Sequence, residues 1–320
     1  MASTLKFGRP LTLVLFVAST VGVGAGQVSR EFHRTLEVSR AEAVSLQVDL
    51  LDVDLRIAYA RDGKVAISVT AQSVFNIDPE SLATRLVIAQ SRNRVEVWER
   101  PGASSPNLKF TYTIDVPYRT EVQASVRRGR QTITGIMGPV SAEVGDGDID
   151  LSYISLGVAA GARTGNLSFE LVGGRIEAHT GQGKIACQRA LQGISAETQD
   201  GDISLSVVGA STAIVKSGSG RIDVGGARGT LLISTNAGDL HVKAVPHEDW
   251  QLNSKSGTVR IELPPGSTFD LDATSDSGDV VIARDDLDKP AVGDPLLKRK
   301  ANGGGKRVQV RTESGKIVVS

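Results

Sequence analysis

The residues of this chain that invite chemistry are its paired aspartates. Asp146 and Asp148 flank Gly147, and Asp200 and Asp202 flank Gly201. Two neighbouring carboxylates are what acid–base cleavage of a glycoside needs, provided one of them is held protonated. They also invite comparison with calcium-binding nonapeptide rolls, because they recur with a period of 18 residues, twice nine. Such rolls need an aspartate at every half-turn, whereas the position after the recurring glycine here reads Asp148, Asn166, Lys184, Asp202, Arg221, Asp239, Thr258 and Asp279. A lysine facing a calcium ion opposes it, so a calcium roll is excluded. Turn chemistry explains the aspartates instead: Asp and Gly are preferred in tight turns, and other repeats carry Ser, Gln or Ala at the same places.

The remaining reactive side chains give no stronger constellation. His33, His179, His241 and His247 show no metal-ligand spacing. The run Gly181-Gln182-Gly183-Lys184-Ile185 resembles the end of a phosphate loop but lacks a hydroxyl after the lysine and leads into strand patterning. Gly218-Ser219-Gly220 is a corner, not a nucleophile elbow. Cys187, the single cysteine, stands in an apolar column, which predicts a buried, inert thiol and rules out a disulfide within the chain. No residue is assigned a catalytic, cofactor-binding or metal-ligating role.

The elements that carry these residues form an array. Taking Gly147, Gly165, Gly183, Gly201, Gly220, Gly238, Gly257, Gly278 and Gly315 as markers, the spacing is 18 to 21 residues until the last interval of 37, which is two periods or one with an insertion. Two and four residues after each marker the side chain is apolar, from Ile149 and Leu151 to Ile317 and Val319. Seven and five residues before it the same holds, from Val140 and Ala142 to Val308 and Val310. Each repeat is therefore two strands with one buried face, joined at a glycine corner. Three residues before the marker stands a Ser or Thr in seven of nine repeats, Thr180 and Ser275 among them, able to bond the backbone at the corner. The position after the marker never repeats a charge in adjacent repeats, which predicts a register-setting charge ladder. The predicted fold is an all-β solenoid of about nine 18-residue turns over residues 121–320. Residues 30–120, with looser strand patterning, are expected to cap it, and 285–306, rich in Pro, Gly and charge, are expected to form a flexible excursion.

Composition narrows function further. Lys plus Arg and Asp plus Glu both number 36, so no global field favours nucleic acid. Lys6 and Arg9 precede the apolar stretch 10–25, which ends in small residues, so residues 1–26 read as a signal peptide; uncleaved, they would be the chain's link to a membrane. Export to the periplasm, cell surface or extracellular space follows in either case.

The repeated Ser/Thr-x-x-Gly-Asp-Ile-x-Leu turn, with TIDVPYRTEVQASV at 113 leading in and IELPPGSTFDLDATSDSGDV at 261 near the end, resembles the putative-adhesin family of bacterial envelope domains of unknown function. The resemblance covers residues 36 to 320, and the excursion at 285–306 departs from it. It implies a β-solenoid outside the cytoplasm with an adhesin-like role and no catalytic residues to carry over. The expectation is a non-enzymatic binding or structural module of the envelope, with an envelope protein or surface polymer as partner. The alternatives are a carbohydrate-active β-helix enzyme and a scaffold that self-associates through an open solenoid end.

Overall fold

The computed structural model describes residues 22–24, 27–73, 85–100, 108–209, 211–287 and 296–320. Apart from the strand Gly22–Gly24, the leader expectation lies outside the described residues. No helix among them is long and apolar enough to cross a membrane.

Each marker glycine joins an inbound strand to an outbound one: Val140–Asp146 leads to Gly147 and Ile149–Ile154, and Val158–Thr164 leads to Gly165 and Leu167–Val172. Successive inbound strands pair in parallel, Val140 with Val158 and Val158 with Ile176. Outbound strands do the same, Ile149 with Leu167 and Leu167 with Ile185. The result is a coil with two parallel sheets whose inner faces make the core. All four apolar columns are buried, including Trp250 and Ile185 at 0% exposure. The alternation of apolar and polar residues is thus the cause of the two-sheet turn: period two puts one face of each strand inside.

The corner glycines are required by contact between turns. Gly147, Gly165, Gly183 and Gly201 have φ between 144° and 154°. A Cβ on Gly165 would lie 1.7 Å from the carbonyl oxygen of Gly147. The buried hydroxyl column supports the same corner: Thr180 Oγ1 donates to the Gly165 carbonyl at 3.0 Å and Ser217 Oγ to that of Gly201 at 3.2 Å.

Chain order and spatial order part company at both ends. The strand Val44–Tyr59 passes through both sheets. It lies between Arg94–Glu99 with Lys109–Val116 on one side and Thr120–Arg128 with Gln131–Thr134 on the other. At the opposite end, Lys306–Thr312 inserts between Trp250–Ser256 and Phe269–Ser275. Ile317–Val319 likewise inserts between Val259–Glu262 and Val280–Ile282. The interval of 37 residues therefore holds one turn plus a strand that loops outward, and the last turn in sequence is not the last in space. Within the expected excursion, Leu296–Ala301 is a strand antiparallel to Phe269–Ser275, so that part is ordered against the sheet; residues 288–295 lie outside the described residues. The outermost turns are covered by antiparallel strands as well, Lys64–Ser73 on Lys109–Val116 and Leu86–Ser91 on Arg94–Glu99.

A buried polar network fastens the N-terminal end. Glu99 takes Arg85 Nε at 2.7 Å and Arg85 Nη2 at 2.9 Å, the Tyr112 hydroxyl at 2.7 Å, and the Leu51 amide at 3.0 Å. Burial first, then the Glu99 charge, pushes the Tyr112 phenol far above its ordinary pKa, so it stays a donor. The Arg85 guanidinium also lies over the Phe110 ring at 4.1 Å. Removing one partner of such a pair strands a charge in the core, so Arg85→Met is expected to destabilise by about 3–5 kcal/mol. Tyr112→Phe should cost about 1–2 kcal/mol. Gly165→Ala should cost more than about 3 kcal/mol, because backbone must move. Gly266→Ala, at φ +81° with nothing within 4 Å, should cost about 1–2 kcal/mol. Urea unfolding midpoints of the four variants check this ranking.

Candidate functional site

The aspartates of the Gly-Asp corners serve the backbone. Asp148 Oδ1 accepts the Asn166 amide at 3.0 Å, and the Asn166 side-chain oxygen accepts the Lys184 amide at 2.9 Å. Asp202 accepts the Arg221 amide at 3.0 Å, and Asp239 that of Thr258 at 2.8 Å. The charge ladder exists beside this: Arg130 pairs with Asp148 at 2.9 Å and Lys184 with Asp202 at 3.2 Å. The inserted last turn brings Lys316 between Thr258 and Asp279, so the column's order in space differs from its order in sequence. Because Asp and Asn cap an amide that Lys and Arg cannot, ladder positions are not interchangeable by swapping charges.

These bonds bear on acid–base chemistry at Asp148 and Asp202. The backbone amide of Asn166, then the Arg130 side chain, hold the Asp148 carboxyl below its ordinary pKa. The Arg221 amide, then Lys184, do so for Asp202. A general acid needs a raised value. Asp146 is engaged by Arg163, and Asp200 accepts the Ser219 hydroxyl at 2.7 Å. Burial pushes the Cys187 thiol up to about 12, the opposite of what a nucleophile needs. His33 meets Ser68 at 2.7 Å, and His241 sits between Asp223 and Glu262, each at 3.1 Å. His179 leans with Glu143 into the space above Gly161, and His247 is exposed. Gly183 and Gly220 are corner glycines at φ 144° and 125°. Among the described residues no three His, Cys, Asp or Glu side chains could hold a metal ion.

What the structure does assemble is a corner that sequence reading missed. Gly129, at φ 127°, is the corner of the turn before Gly147, and six residues after it and after four of the markers the backbone is left-handed: Gly135 at φ 74°, Tyr153 at 56°, Leu171 at 51°, Arg189 at 61° and Gly226 at 63°. Tyr59 holds the equivalent place in the turn before Gly135, since Ala58 pairs with Thr134 and Thr134 with Ser152. A Cβ on Gly135 would lie 3.2 Å from the Tyr59 Cβ. The Tyr59 ring meets that of Tyr118 edge-on at 5.3 Å. Tyr59, Tyr118 and Tyr153 are 41%, 47% and 52% exposed, and no other Phe, Tyr or Trp among the described residues is exposed. Adjoining this corner on the outer face of the outbound sheet is a depression of about 370 Å³, lined by Arg56, Thr113, Thr132 and Thr134. The signal that could have found the corner was present: carrying the 18-residue columns upstream of 140 aligns Gly135 with Tyr153.

With this geometry in view, the comparisons with known proteins can be placed. The family model of the Toastrack DUF4097 domain matches residues 43–320. The chain belongs to that family. No curated protein matches it. Among solved structures this Toastrack chain is similar to a putative cell adhesion protein from Clostridium sporogenes, at 14% identity over 91% of this chain and 98% of that one, TM-score 0.26. It is similar to a putative adhesin from Bacteroides fragilis at 13% identity over 91% and 97%, TM-score 0.32. A putative lipid binding protein from Parabacteroides distasonis matches at 12% identity over 91% and 96%, TM-score 0.41.

The capping role of the Toastrack corner aspartates carries a pH consequence. A carboxyl whose folded pKa is depressed adds stability that is complete above the unfolded value of about 3.9 and is lost as pH falls through the folded value. Asp202→Asn keeps an amide acceptor and removes the titration. Its unfolding free energy is expected somewhat below wild type at pH 7, converging with wild type toward pH 3; Asp202→Ala should be less stable by about 1–2 kcal/mol at pH 7, both read from urea unfolding.

Proposed function

We propose that this chain is an exported, non-enzymatic binding module of the cell envelope, engaging a surface polymer or envelope protein through its outer faces. One observation carries the reading: the exposed aromatic side chains gather on a single corner, while the side chains with chemical potential are tied to structural partners. Exposed aromatic groups beside polar ones are the usual composition of a recognition surface. The apolar leader sequence supports export. The depressed carboxyls speak against a glycosidase. Self-association through the edge strand Leu296–Ala301 is disfavoured because it carries Lys298, Arg299 and Lys300, and charge on an edge strand resists pairing with another copy.

The test is retention of the purified chain, without residues 1–26, on envelope particles washed free of loosely held protein. Saturable retention with no release of reducing sugar is the expected result. Absence of retention, or sugar release that tracks the protein, overturns the reading.

A further inference from the structure

We infer that the corner formed by Tyr59, Gly135 and Tyr153, together with the threonine-lined depression beside it, binds an acidic oligosaccharide. The inference rests on the binding-module reading above and names its site and ligand class.

The corner supplies faces. Parallel turns stack about 4.8 Å apart, so Tyr59 and Tyr153, two turns apart, stand roughly 9–10 Å from each other along the coil axis. Gly135 between them contributes no side chain, which leaves a gap bounded by tyrosines in the turns on either side. Tyr118 backs Tyr59 edge-on. Aromatic rings present an apolar, electron-rich face that suits the C–H face of a pyranose ring, and the Tyr153 hydroxyl reaches Glu170 Oε1 at 3.5 Å.

The depression supplies the polar half. Thr113, Thr132 and Thr134 line it, and Ser152 Oγ donates to Thr134 Oγ1 at 2.9 Å, so hydroxyl groups are already arrayed in a row along the sheet. Each can donate and accept, which matches a sugar's hydroxyls. Two guanidinium groups belong to this face, and Arg56 stands in the row itself, between Thr113 and Thr132. Arg130 is held by Asp148 at 2.9 Å and Asp150 at 3.7 Å, whereas Arg56 is exposed and has no ion pair or side-chain hydrogen bond among the described residues. A free planar fork within a row of hydroxyls is suited to a bidentate carboxylate, which is why the sugar is assigned an acid group. A lipid chain seated here would strip water from the threonines and Arg56 without replacing their hydrogen bonds. A polyphosphate offers the tyrosine rings no apolar face to stack on.

Tyr153 adds an independent mark. It holds a left-handed backbone at φ 56°, as Leu171 at 51° and Arg189 at 61° do in the next two turns, while the turn before has Gly135 at 74° and a later one Gly226 at 63°. The coil imposes this conformation at the corner, so the ring at Tyr153 carries a backbone cost that glycine would not. Replacement by glycine removes the ring and the strain together, which separates binding from stability.

Titration calorimetry on the full mature chain, with oligogalacturonate as the acidic probe and length-matched cello-oligosaccharide as the neutral one, tests the site. The wild type is expected to bind oligogalacturonate at least tenfold more tightly than the neutral probe. Tyr153→Gly should melt at or above wild type and bind the acidic probe at least tenfold more weakly, and Tyr59→Ala should weaken it similarly. Arg56→Gln should erase the preference for the acid, and Val281→Ser, on an exposed residue remote from the corner, should change nothing. If the wild type binds neither probe, or Tyr153→Gly binds like wild type, the site is overturned. Envelope retention that survives in Tyr153→Gly then leaves the binding-module reading standing; if wild-type retention is also absent, both fall.

Discussion

Contact between successive corners is the constraint on which the rest of this coil depends. The carbonyl of one marker glycine occupies the space where the Cβ of the next would be, with Gly147 under Gly165, Gly165 under Gly183 and Gly183 under Gly201. Because that contact joins inbound and outbound sheets at one point, both must keep the same register in every turn. Extra residues can then enter only on the far side, between an outbound strand and the next inbound one. The 19-residue turns obey this: Ile194 pairs with Ala213 and Ile203 with Ile222, so both sheets shift together and the added residue falls in the connection between Val208 and Ala213. The corner side of the coil is uniform and the opposite side is where the chain varies.

A coil held by register alone would still end in two open sheet edges. Both ends solve this by interleaving. The first turn in sequence, Val44–Tyr59, is enclosed by turns that follow it in sequence, and the last, Lys306–Val319, is enclosed by turns that precede it. A terminal turn flanked on both sides cannot peel away as an edge strand can, since leaving breaks two ladders at once. The glycine-rich segment makes the return possible at the C-terminal end. Asn302, Gly303 and Gly304 all have positive φ, and a Cβ on Gly305 would lie 2.6 Å from the Thr268 carbonyl where the chain crosses the start of Phe269–Ser275. Antiparallel strands lie outside Lys109–Val116, Arg94–Glu99 and Phe269–Ser275, so those edges differ from the parallel interior.

Sequence alone made the turn legible because each column repeats its burial: Ile149, Leu167 and Ile185 say the same thing at the same offset. It did not make the order of turns legible for the same reason. A turn whose columns are Val308, Val310, Ile317 and Val319 satisfies a neighbour above as well as one below, and nothing in the pattern distinguishes last from second-last. Nor did it reveal the Arg85–Glu99–Tyr112 network, since a buried ion pair is invisible to a reading in which charge means surface. The corner tyrosines were hidden by composition: few aromatics signalled a repetitive β protein, and their convergence depends on stacking three distant segments.

The demands of the coil also indicate where function can be sought. Inward columns are fixed by packing, corner glycines by contact, and the aspartates after them by amides of the next turn, so their recurrence reports folding and not chemistry. Outward positions on the sheets and on the connection side are free of those demands. Where such a position carries a residue that folding would not choose, an exposed tyrosine in a left-handed backbone or an arginine without a counter-charge, the choice needs another cause. Among the described residues Tyr153, the exposed aromatic of the left-handed column, and Arg56, which has no ion pair, stand out on these outward positions, and register brings both to the same end of one face. A scaffold this repetitive thus makes recognition residues conspicuous as exceptions to its own rule, which is a sharper criterion than motif matching in a chain whose most motif-like segments are its turns.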